Sequence, residues 1–105
     1  MSERRVVRTT PDFFAQLDFQ LGEERGPRGE PSSADFLGYE MLAIVEEFAT
    51  RWDDLPPVIA GRGDYRILIK DGYLVRGYSV TGQLAPDGAV ELVRIRVDLT
   101  LPEQE

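Results

Sequence analysis

The apolar residues of this chain recur with two different periods, helical in the first half and strand-like in the second. Phe13, Leu17 and Leu21 fall at i, i+4 and i+8, with Phe14 beside them, and this stripe ends near Gly22. Thr10-Pro11-Asp12 in front of it supplies an N-cap, a proline for the first helical position and an acid for the first turn. Leu37, Met41, Ile44, Val45, Phe48 and Trp52 repeat the helical spacing over about four turns. Ser32 or Ser33 caps that second helix, and Asp35 stands three residues after Ser32, as a capping box requires. Glu40, Glu46 and Glu47 lie off the apolar stripe and are expected on a solvated acidic back. Pro56-Pro57 ends the helical region, and the Gly/Pro-rich stretch 22–33 reads as a flexible loop between the helices.

Beyond residue 64 the period becomes two. YRILIK (65–70) and YLVRGYSV (73–80) flank Asp71-Gly72, a strong short-hairpin signal, and AVELVRIRVDL (89–99) alternates as a further strand. ERRVVRT (3–9) supplies a first, β-branched strand. The pattern predicts one α+β domain over residues 1–105: an antiparallel four-stranded sheet with two helices on one face, in the order β-α-α-β-β-β, with a disordered tail at 100–105.

A two-residue turn at Asp71-Gly72 would fix the register, setting Lys70 opposite Tyr73, Leu68 opposite Val75 and Arg66 opposite Gly77. Tyr65, Ile67, Ile69, Leu74, Arg76, Tyr78 and Val80 then take the face against the helices, joined by Val93, Ile95, Val97 and Leu99. Arg66, Lys70, Arg94 and Arg96 would share the open face, with Tyr73 near one end. Leu68, Val75 and Leu92 would stand among them as apolar islands suited to a protein partner or a second copy of the chain. Arg76 falls on the buried face by this register. Snorkelling at the rim, pairing with a helix acid, or a bulge near Gly77 that shifts the register would each explain it.

Composition limits the chemistry. The chain has no histidine and no cysteine, which removes thiolate metal sites, disulfides, the commonest metal ligand and the usual general base near neutral pH. No cofactor or metal is expected. The net charge is −7, but residues 61–97 hold six basic and four acidic side chains, so a local cationic face on an acidic body is expected. No apolar run reaches membrane-spanning length and MSERRVVRTT has no apolar export segment, so a cytoplasmic protein is expected. In that setting the Arg62-Gly63-Asp64 tripeptide reads as coincidence.

PDFFAQLDFQL, and above all DYRILIKDGYLVRGYSV followed by VELVRIRV, resemble the RelE/ParE superfamily of bacterial toxins of type II toxin–antitoxin systems. The resemblance implies an antitoxin that wraps and neutralises the chain. Its target would be the ribosome and its mRNA for RelE-like members or DNA gyrase for ParE-like ones. RelE-like nucleases carry basic residues on the open face of the hairpin. Arg66 matches one such position, whereas Leu68 and Val75 stand where two further basic residues are expected, and only DLTLPEQE follows the last strand. The resemblance therefore implies a toxin that acts mainly by binding. Two other readings stay open. One is a ribosome-dependent mRNA endonuclease that clamps phosphate with Arg66, Lys70, Arg94 and Arg96 and handles protons with Tyr73 or Asp64. The other is a non-toxic interaction domain that forms a homodimer.

Overall fold

The computed structural model describes residues 4–99. The chain runs β1 (Val7–Thr9), α1 (Pro11–Gln20), α2 (Ser33–Tyr39), α3 (Met41–Thr50), a 3-10 turn (Trp52–Asp54), β2 (Tyr65–Lys70), β3 (Gly77–Leu84) and β4 (Val90–Asp98). The α+β class holds. Three helices replace the expected two, and the sheet is mixed rather than antiparallel. Its spatial order is β1-β4-β3-β2, and β1 runs parallel to β4, with Val7, Arg8 and Thr9 opposite Val90, Glu91 and Leu92. The expected tail at 100–105 lies outside the described residues.

Both helix starts follow their side chains. The Thr10 hydroxyl accepts the Phe13 N–H at 3.2 Å. Ser32 and Asp35 close the capping box, with the Asp35 N–H donating to Ser32 Oγ and the Ser32 N–H donating to the Asp35 carboxylate. The expected second helix breaks at Glu40, which serves as both the C-cap of α2 and the N-cap of α3. Glu40 is not on a solvated back, because its side chain is fully buried.

β1 is short, and α1 completes the edge that it leaves on β4. After the Thr10 N–H donates to the Leu92 carbonyl, the side-chain amides of Gln16 and Gln20 take over the ladder. Gln16 donates to the Val93 carbonyl and accepts from the Ile95 N–H; Gln20 donates to the Ile95 carbonyl and accepts from the Val97 N–H. The geometry allows this because four helical residues rise about 6 Å and two strand residues about 6.7 Å. Two glutamines one helical turn apart therefore match successive outward peptide groups of β4.

The β2–β3 connection departs from the expected hairpin. β3 begins at Gly77, so the loop spans residues 71–76, and the pairs are Lys70 with Tyr78, Leu68 with Val80 and Arg66 with Gly82. Gly72 does not have the positive φ that the tight turn at Asp71-Gly72 would need. A Cβ there would lie 2.7 Å from Glu40 Oε2, so glycine is required for close approach to that carboxylate. Glu40 Oε2 accepts the N–H groups of Tyr73 and Leu74 at 2.7 and 2.8 Å, while Val75 enters the core. Those two amides and Val75 are committed to the helices and cannot extend the sheet.

The register change is odd-numbered, so it exchanges the faces of β2 relative to β3. Leu68, Tyr78, Val80 and Ile95 pack toward the helices with Phe13, Leu17, Phe36, Ile44 and Phe48. A bulge at Val93, between the pairs Thr81–Arg94 and Gly82–Leu92, lets Leu92 and Ile95 enter the same core. Gly82 sits directly beneath α3, where a Cβ would come within 2.8 Å of the Phe48 ring.

Candidate functional site

The observed register separates the four cations expected on one face. Arg94 and Arg96 stand on the open face, opposite Thr81 and Ser79, whose other neighbours across β3 are Ile67 and Ile69. Tyr65, Ile67 and Ile69 therefore line the open face and not the core. Arg66 points to the helix side, because its partner Gly82 faces Phe48. There its Nε and Nη1 are engaged. Its guanidinium donates to the carbonyls of Gly63, Asp53 and Leu55 at 2.7, 3.2 and 2.8 Å and lies 5.5 Å from the centre of the Trp52 ring. Arg66 is a staple for the 53–63 segment and not a phosphate clamp.

The apolar islands disappear as well. Leu68, Val75 and Leu92 are 6%, 6% and 0% exposed, so all three are core residues and none is open to a partner. Tyr73 is exposed, but on the 71–76 loop and not on a strand. Asp64 is held in a two-bond pair with Arg62 at 3.0 and 3.1 Å, which keeps its carboxyl below the usual carboxylate range. Arg76 belongs to the loop, where it is exposed and donates its N–H to the Asp98 carbonyl. The shifted register left open for Arg76 is thus the explanation that holds, although a long loop rather than a bulge near Gly77 causes it.

A different grouping emerges at the far end of the sheet. Ile67, Ile69 and Lys70 of β2, Arg76 of the loop, Ser79 of β3 and Arg96 of β4 line an open groove of about 1060 Å³, and Arg94 stands two pairs away, toward the start of β4. Among the described residues, Lys70, Arg76, Arg94 and Arg96 have no carboxylate within ion-pair distance. Two carboxylates, Asp71 and Asp98, also border the groove, and Ile69 is 74% exposed within it.

The second concavity, about 790 Å³ between β1, α3 and the 85–89 turn, is also rich in arginine, but its arginines are occupied. Arg4 forms a two-bond pair with Glu46, Arg8 does the same with Asp87, Arg51 approaches Glu47 and Asp54, and Arg5 donates to the Gly88 carbonyl. Among the described residues no cluster of acidic side chains is arranged to hold a metal ion. The groove thus offers fixed positive charge, a hydroxyl and exposed isoleucine, which suits recognition of an anionic partner. No protein-family profile, no curated protein and no solved structure matches this chain.

Proposed function

We propose that the protein is a toxin-like member of a type II toxin–antitoxin pair that works in the cytoplasm by binding and not by catalysis, with an antitoxin protein as its physiological partner. The observation that carries this reading is that Lys70, Arg76 and Arg96 border one groove, with Arg94 two residues away on β4, and none has a carboxylate within ion-pair distance among the described residues, while the arginines of the other concavity are satisfied internally. Fixed charges without internal partners are the ones an anionic partner can pair with at least cost to the fold.

The mixture in the groove favours a protein over RNA. Ile67 and Ile69 offer apolar contact that a protein segment can use and a phosphate chain would leave unused. The nuclease reading has less support, because Arg66 is bound to carbonyls and Asp64 to Arg62.

Co-expression with the product of a neighbouring short gene tests the proposal. A tight complex is expected, with growth arrest when the chain is induced without that product. Failure to find any complex, or a complex indifferent to Arg94→Glu with Arg96→Glu, overturns it; harmless expression assigns the chain to the non-toxic interaction domains.

A further inference from the structure

β2 is an edge strand, and the chain itself already adds to half of it. Residues 56–58 run antiparallel along that edge: Pro57 bridges Arg66, the Val58 N–H donates to the Tyr65 carbonyl, and the Ile67 N–H donates to the Pro56 carbonyl. The addition stops there for a covalent reason. Pro56 has no N–H to return to the Ile67 carbonyl, and the chain turns away into Leu55. Backbone groups alternate sides along a strand, so the even-numbered residues of β2 pair with β3 and the odd-numbered ones face outward. The Ile67 carbonyl and both backbone groups of Ile69 therefore point away from the sheet, and none of the three has a partner among the described residues. Ile69 also exposes its side chain, and Lys70 follows it.

We infer that this free half-edge receives an acidic segment of a partner protein in extended form, hydrogen-bonded to Ile67 and Ile69 and continuing the line that Pro56–Val58 begin. The inference rests on the binding function proposed above and specifies how the partner is held. Charge selects the occupant. Lys70 lies on β2 itself, on the same side of the strand as Leu68, and Arg76 and Arg96 border the groove, with Arg96 on the opposite face and three strand spacings, about 14 Å, from an added strand. Acidic side chains on the added strand's Lys70 side meet that ammonium across the edge, and Arg76 and Arg96 add attraction at longer range. A second copy is disfavoured for the same reason. Two β2 edges paired antiparallel about Ile69 would bring the two Lys70 residues to diagonal positions on the paired edges, about 8 Å apart in backbone, with like charge.

The test uses the full chain and a capped peptide of about eight residues alternating glutamate and valine, followed by fluorescence anisotropy. N-methylating its central amides one at a time keeps charge and shape while removing single donors. In an added strand only alternate amides face β2, so methylation is expected to weaken binding roughly tenfold at every second position and hardly at all between. Ile69→Pro removes only the outward donor and leaves the β2–β3 ladder intact, so it is expected to give a loss of similar size. If that variant misfolds, the methylation series reads the same contact in the unaltered protein. Absence of binding, a flat methylation profile, equal binding of a glutamate-only peptide, or a dimer in solution that Ile69→Pro dissolves each overturns the inference. A flat profile alongside an Arg94/Arg96-dependent complex with the co-expressed partner would leave the proposed function standing and remove only the added strand.

Discussion

The cleft beside β1 and the groove beyond the start of β3 are both rich in cations, yet their electrostatics differ. In the cleft, Arg4 and Arg8 each meet a carboxylate through two hydrogen bonds, and these pairs tie the N-terminal strand to α3 and to the 85–89 turn. In the groove, Arg94 and Arg96 project from a strand whose nearest neighbours across the sheet are Thr81 and Ser79, which supply no opposite charge. Residue type alone does not separate an arginine that holds the fold from one left for a partner. What separates them is whether the topology brings an acid within ion-pair reach: among the described residues the cleft arginines Arg4, Arg8 and Arg51 each have one, and Arg94 and Arg96 do not.

The strongest test of this contrast is reversal of charge on both sides. Arg94→Glu with Arg96→Glu is expected to weaken capture of the co-expressed partner on the order of 100-fold while leaving the unfolding midpoint nearly unchanged, measured by titration and thermal melting. Reversal of Arg4 and Arg8 should do the opposite, lowering the midpoint and sparing the partner. If both pairs of changes act alike on binding, the two regions are not distinct.

Next in size is the carboxylate that holds the 71–76 loop. Glu40 is buried, its Oε2 accepts two loop amides, and its Oε1 makes no hydrogen bond among the described residues. Glu40→Ala leaves the Tyr73 and Leu74 amides without an acceptor. It is expected to cost about 1–3 kcal/mol in denaturant unfolding and to raise hydrogen exchange at those two amides. Glu40→Gln, which keeps an acceptor in place, should recover most of that loss. Equal damage from both variants would mean that burial of charge, and not the loop amides, fixes this residue.

The same carboxylate shows why part of the fold was hidden from the sequence. The capping residues Thr10, Ser32 and Asp35, the apolar stripe of α1 and the extent of β4 were all legible, because each depends on neighbours within one or two turns or on strict alternation. The register of β2 against β3 was not legible, because it depends on Glu40, more than thirty residues upstream, taking the amides of Tyr73 and Leu74. One clue was present. An exposed-type residue, Arg76, on the supposedly buried face was incompatible with a two-residue turn and pointed to a longer loop. The bulge at Val93 and the glutamine ladder of α1 left no comparable trace, since glutamine on a helix gives no sign of a strand beside it. The shared open face of Arg94 and Arg96 was readable, whereas Lys70, like Arg66, falls on the Leu68 side of β2. Arg66, Leu68, Val75 and Leu92 were lost from that face with the register.

A smaller effect appears with alkali. Burial, and then the nearby Glu40 carboxylate, push the Tyr78 phenol up to about 12. In the unfolded chain a tyrosine ionises near its ordinary value of about 10. The stability this contributes is therefore complete below about pH 10 and is lost as the pH rises toward 12. Phenolate absorbance should show a late step as the pH rises toward 12, and Tyr78→Phe should remove that step and flatten the alkaline loss of stability. An alkaline titration unchanged by Tyr78→Phe would contradict the burial of Tyr78.

The smallest effect is expected in the cleft when one arginine is neutralised and not reversed. Arg8 is partly exposed, and so is its partner Asp87; exposed pairs of this kind gain little because water and salt screen them and two long side chains must be held still. The two-bond geometry and the second acid, Glu91 at 3.6 Å, argue for a residual contribution at low ionic strength. Arg8→Gln should therefore lower the unfolding midpoint less than Glu40→Ala does, and the difference from the parent protein should vanish as salt is added. Partner binding should not change at any salt concentration, because Arg8 points to the cleft. A loss of binding with this variant would show that the cleft also meets the partner, and that internal pairing does not remove an arginine from recognition.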